Sequence, residues 1–175
     1  SRYDLDLKIM PSNIKEIVRD NENPKQVSMS LAFQKAYDIS IGLTEGNIVL
    51  AADTIVYKDK ILGKPKDKED AFKMLMSLSD SEHRVITGIC IIESGSFKKV
   101  IDYSETRVKF RNLSKKKLKR YLGTNEYIDK AGGYGIQGYG SVLVDSIDGS
   151  YSNVVGLPLS KLDYLLQEHF DINLL

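Results

Sequence analysis

"NIVLAADTIVY", residues 47–57, is the stretch on which the fold turns. It is apolar and rich in β-branched residues, which suit a pleated, packed surface. Such a run reads as a buried strand, with Asp53 interrupting it near its end. An ionised carboxylate in that setting is costly unless it is paired or bound to a cation. Asp53 is therefore either a cap for a neighbouring turn or a group held for chemistry.

Outward from this strand, "KDK" (58–60) turns the chain into "ILGKP" (61–65). Asp67 can cap the next helix, in which Ala71, Met74, Leu75 and Leu78 fall at i, i+3, i+4 and i+7. "HRVITGICIIES" (83–94) and "FKKVIDYSETRVKF" (97–110) bracket Gly95 as a β-hairpin with a long second strand. Upstream, "DLKIMP" (6–11) reads as a short strand, and "NPKQVSMSLAFQKAYDIS" (23–40) as a helix with Pro24 near its first turn. Downstream, Ser114 opens a basic helix, "KKKLKRYL", and "SVLVDSI" (141–147) reads as a strand. A last helix begins near Pro158 and buries Leu162, Leu165 and Leu166. Strands and helices alternate without linker or repeat, which predicts an α/β chain with a mixed sheet in a single domain over residues 1–175.

Composition narrows the function classes. With 42% hydrophobic and 28% charged residues, the chain has the make-up of an ordinary soluble domain. A net charge of +1 argues against a specific nucleic-acid binder, and the "KKKLKR" run reads as a solvated helix face. The one cysteine, Cys90, sits in the apolar run "VITGICII" and excludes an internal disulfide, which suits a cytoplasmic location. No apolar run approaches the roughly 20 residues needed to cross a bilayer.

"DKAGGYGIQGYG" (129–140) contains G-x-G-x-x-G at Gly133, Gly135 and Gly138. A dinucleotide fingerprint needs a strand before the first glycine and a helix after the last. Here the order is inverted, so that reading is set aside. Either the glycines satisfy a turn, or they let backbone approach a ligand between Lys130 and Gln137. Lys35, Lys64 and Lys130 are each readable as solvated surface groups. Several lysines beside a carboxylate would instead suit a polyphosphate with its Mg²⁺. His83 reads as support for a strand start, Asn153 as a turn or cap residue, and Thr106 and Arg107 as an exposed strand face.

Taken together, "AADTIV" (51–56), "LGKPKDKEDAFKMLMSLS" (62–79), "HRVITG" (83–88), "DKAGGYGIQG" (129–138) and "GSYSNVVGLPL" (149–159) resemble the Maf family of nucleoside triphosphate pyrophosphatases. The resemblance implies a two-lobed α/β fold around a central cleft, a divalent cation such as Mg²⁺ or Mn²⁺, and a homodimer. It also implies hydrolysis of a nucleoside triphosphate to the monophosphate and pyrophosphate. By position, Asp53 matches the family's proton acceptor, and Glu16 matches an acidic residue near its metal site. Lys35, Lys64 and Lys130 match positions facing the triphosphate, and Thr54 and Gln137 match positions tied to base choice. "YGIQG" is similar to the branch acting on dTTP and UTP. A glutamine amide both donates and accepts, which complements the O4 and N3–H edge of uracil or thymine.

One departure stands out. The family opens with a strand and a Ser-x-Ser-x-Arg-Arg phosphate loop, and no such motif occurs here; Ser1-Arg2 has the wrong spacing. The resemblance thus implies that a first strand, loop and helix are lacking from this sequence. Weakened or absent turnover is accordingly the expectation for these 175 residues. The alternative function is a weak or inactive nucleotide-binding regulator linked to septum formation. The enzymatic reading is a house-cleaning hydrolase for pyrimidine nucleotides.

Overall fold

The computed structural model describes residues 6–19 and 21–175. In chain order the elements are α1 (Pro24–Ser40), β1 (Ile48–Lys58), β2 (Lys60–Leu62), α2 (Lys68–Leu78), β3 (Glu82–Glu93) and β4 (Lys99–Phe110). There follow α3 (Lys115–Leu122), 3-10 turns at Ala131–Gly133 and Tyr139–Leu143, β5 (Val144–Asp148), α4 (Tyr151–Val155) and α5 (Leu159–Phe170).

The strands form one sheet in the order β2-β1-β3-β4-β5. The α/β class with flanking helices is as expected, but every described pairing is antiparallel rather than mixed. Tight connections account for part of this. Asp59 and Gly95, both at positive φ, fold the chain straight back on itself after β1 and β3, and a tight turn can only join antiparallel neighbours.

β3 lies at the centre and explains the unbroken apolar run it carries. One of its faces sets Ile86, Cys90 and Ile92 against α1, and the other sets Val85, Ile89 and Ile91 against the helices that follow β1. A strand covered on both faces needs no polar alternation. α1 starts where its sequence predicts: Asn23 and Gln26 form a reciprocal capping box, with Pro24 as the first helical residue. The helix then sinks onto the sheet at Gly88. The Ser28 backbone occupies the space that a Cβ at Gly88 would fill. A glycine is therefore required there, directly opposite Asp53 in the ladder.

Several expectations need correction. "DLKIMP" is not a strand: residues 6–11 carry no regular structure, and Ile9 is 94% exposed. A strand exists only by pairing, and no described strand lies beside this segment. The "SVLVDSI" strand begins late, at Val144, because residues 139–143 coil as a 3-10 turn. Asp53 lies in the middle of β1 rather than near its end, since β2 extends the pairing to Lys58. Thr106 is buried rather than on an exposed face. Its hydroxyl accepts from the Ser150 amide and donates to the Ser150 carbonyl. Asn153 is neither turn nor cap; it sits buried in α4 and donates to the Val85 carbonyl and to Thr106 Oγ1. Ser1-Arg2 lies outside the described residues. Among the described residues no helix is long and apolar enough to cross a membrane.

Candidate active site

Glu16, Lys35, Asp53, Thr54, Lys64, Lys130 and Gln137 all line one cleft of about 830 Å³. The elements bring them there from separate parts of the chain. Among the described residues, the outer edge of β1 is paired only at Val56–Lys58, so Asp53 and Thr54 lie where that edge is open. Alternation sends them to opposite faces. Asp53 points to the α1 side, and Thr54 packs on the other side, its hydroxyl 2.9 Å from that of Thr87. Thr87 in turn donates to the Asn153 carbonyl, which ties α4 to the cleft floor.

The first wall is ionic. The Lys35 ammonium on α1 pairs with Asp53 Oδ1 and also with Glu16 Oε1, the latter at 3.0 Å. The Asp53 side chain is only 13% exposed, whereas Glu16 is 48% exposed. Burial is the largest influence on Asp53 and raises its carboxyl above the ordinary value, against the lowering effect of the Lys35 hydrogen bond. For Lys35, burial opposes the charge, but the hydrogen bonds it donates to Asp53 and Glu16 prevail and its pKa is raised. The pair therefore consists of a firmly protonated lysine and a carboxylate that is incompletely solvated.

The second wall is the glycine-rich loop. Its backbone is tied to the "LGKP" loop by the Gly132 amide, which donates to the Gly63 carbonyl at 3.0 Å. This bond sets Lys64 and Lys130 on adjoining loops of one cleft. Gly132 and Gly133 adopt positive φ, a backbone conformation that only glycine takes freely. No helix opens after Gly138 in the dinucleotide-binding manner; a 3-10 turn leads into β5 instead. Tyr134 anchors the loop from below, its hydroxyl 2.7 Å from His83 Nε2. His83 thus supports the start of β3, as expected, and burial lowers its pKa to about 4, with Lys58 adding to the effect.

Sequence reasoning missed two acids in the cleft lining, Glu126 and Asp129, of which Glu126 is the more engaged. Glu126 accepts from the amides of Tyr139 at 2.6 Å and Gly140 at 2.8 Å. No side-chain pattern advertises it, because its main partners are backbone groups.

Divalent-cation chemistry can be weighed against the donors present. No three His, Cys, Asp or Glu side chains converge among the described residues. Glu16 and Asp53 do converge, since both reach the same ammonium. Mg²⁺ is commonly held by one or two carboxylates together with substrate phosphates. These two hard-oxygen donors fit a cation of that kind, with a polyphosphate completing its shell.

The family model described as "Maf-like protein" matches residues 1–169. The dTTP/UTP pyrophosphatase of Clostridioides difficile is 50% identical over 167 residues, covering 95% of this chain and 86% of the relative. That of Alkaliphilus oremlandii is 47% identical over 167 residues, covering 95% and 87%. The dTTP/UTP pyrophosphatase of Pyrococcus furiosus is 46% identical over 169 residues, covering 95% and 86%. With a family match across nearly its whole length and relatives this similar, the chain belongs to the Maf family.

Proposed function

We propose that this protein hydrolyses pyrimidine nucleoside triphosphates, dTTP and UTP, to the monophosphate and pyrophosphate. The observation that carries the reading is the meeting of one partly buried carboxylate with three lysines from three separate segments in a single cleft. The names of the relatives, dTTP/UTP pyrophosphatases, supply the substrate class and favour the enzyme over a non-catalytic nucleotide binder.

Asp53 is the general base. Its carboxylate takes a proton from water as the water oxygen bonds to the α-phosphorus. The bond from that phosphorus to the oxygen bridging to the β-phosphate breaks, and its electron pair leaves with pyrophosphate. A carboxyl raised by burial is a stronger base than an ordinary aspartate, which suits proton abstraction near neutral pH. Lys35 restrains Asp53 and faces the phosphate charge; Lys64 and Lys130 meet that charge from the adjoining loops. Glu16 and Asp53 would hold a divalent cation, which neutralises phosphate charge when bound.

Gln137 and Thr54 read the base. A site built to hydrogen-bond a particular edge rejects bases that leave its polar groups unpaired. Pyrophosphate release across a panel of nucleoside triphosphates tests the reading. dTTP and UTP should give pyrophosphate well ahead of purine nucleotides; equal release from all, or none from any, would contradict it.

A further inference from the structure

Three features outside the assigned chemistry meet at one side chain. Glu126 follows α3 and lies in the cleft wall behind the glycine loop. Both of its carboxylate oxygens are engaged by that loop: Oε2 accepts from the Tyr139 amide and Oε1 from the Gly140 amide. The Tyr121 hydroxyl donates a third bond to Oε1, at 3.4 Å. Tyr121 stays protonated as donor, because burial and the neighbouring charge of Glu126 both raise its pKa. The glycines close around this group. A Cβ at Gly138 would overlap the carboxylate, and Cβ atoms at Gly135 and Gly140 would press on Oε1 at 3.4 and 3.2 Å. Gly138 is thus explained by an internal anion rather than by a bound nucleotide, whereas Gly140 is required chiefly by the Gly135 backbone, 2.5 Å from where its Cβ would lie.

Gln137 lies between Gly135 and Gly138 and is itself exposed to the cleft. Its backbone is held on the C-terminal side by this carboxylate, which bonds the amides two and three residues further on. We propose that Glu126 is a positioning residue for pyrimidine selectivity, its carboxylate standing in for substrate-side order by clamping the loop that presents Gln137. This inference rests on the proposed pyrimidine specificity, but the clamp itself is a separate physical statement. A carboxylate can accept from both adjacent amides at once. A glutamine at 126 keeps one acceptor oxygen and turns an NH₂ donor towards the other amide.

The test compares the wild type with Glu126→Gln and with Tyr121→Phe, which removes the third donor and the hydroxyl's hydrogen bond with the Gly135 backbone. Binding of dTTP and dGTP is measured by calorimetry, alongside amide hydrogen exchange over residues 135–143. In Glu126→Gln the ratio of the two dissociation constants should shrink about tenfold, chiefly through weaker dTTP binding, and exchange at Tyr139 and Gly140 should accelerate. Tyr121→Phe should move both readouts in the same direction by about threefold. If neither variant changes exchange at those amides or the dTTP:dGTP ratio, the clamp is overturned while the proposed hydrolysis stands. If both nucleotides weaken by the same factor, Glu126 has only a general structural role and the inference fails. If the wild type shows no preference for dTTP, the pyrimidine specificity itself falls, and the exchange data alone then decide the clamp.

Discussion

Two carboxylates face the same cleft in opposite condition. Asp53 sits in a strand with a lysine as its main partner, and burial raises its pKa. Glu126 sits behind a loop with both oxygens taken by amides of the Tyr139–Gly140 backbone. Hydrogen bonds from neutral backbone donors leave a carboxylate satisfied where it stands. An ion pair in a partly buried site leaves it dependent on one ammonium, and so able to exchange that partner for a proton or a cation. The contrast separates a group placed to react from a group placed to hold.

The largest effect expected to sharpen this contrast comes from Asp53→Asn. Removing the base should lower pyrophosphate release from dTTP by about 10³-fold, within the range ascribed to general-base catalysis. Because the fold disfavours the charged form of Asp53, the variant should melt no lower than wild type, and dTTP should still bind. A matching loss of thermal stability would make Asp53 structural and erase the distinction drawn here.

Lys35→Met acts on the same pair from the other side. Without the ammonium, the main lowering influence on Asp53 is lost, leaving only the weaker one of Lys64, and its carboxyl rises further. Turnover requires the ionised form, so activity grows as pH climbs through that raised value. The acid limb of the pH–rate profile should therefore move to higher pH in the variant, with kcat lower by about 10²-fold. A limb that stays in place would show that Lys35 does not govern Asp53.

The smallest predicted effect concerns His83, which supports the loop carrying Gln137 through Tyr134. Its folded-state pKa of about 4 lies below the ordinary value of 6.5. The stability linked to keeping it neutral is present above about pH 6.5 and is lost as pH falls towards 4. Between pH 6.5 and 5 this amounts to about 2 kcal/mol, or roughly 5 °C in Tm for a chain of this size. His83→Gln should flatten that part of the Tm–pH curve, measured by calorimetry; an unchanged slope would place the titration elsewhere.

How much of this was legible in the sequence varies with the kind of interaction. The helices at 24–40 and 68–78 were readable because their ends carry local signals, Pro24 in the first turn and the Asp67 cap. The β3–β4 hairpin was readable from two β-rich runs around Gly95. "DLKIMP" misled because its strand-like residues have no described partner, and pairing is a tertiary fact. The antiparallel sense of the whole sheet was hidden for the same reason. Asp53 announced itself as a charge in an apolar run, yet no spacing rule connects it to Lys35, 18 residues away on another element. Resemblance of motifs selected that lysine, and the close approach of α1 over Gly88 brings the two together. Glu126 stayed invisible because backbone amides look the same in every sequence.

Hydrolysis of dTTP in ¹⁸O-labelled water tests the central claim most directly. Attack on the α-phosphorus with Asp53 as base places the label in thymidine monophosphate and leaves the pyrophosphate unlabelled. Label appearing in pyrophosphate or in inorganic phosphate would mean that water attacks a different phosphorus, and the mechanism assigned to this cleft would be contradicted.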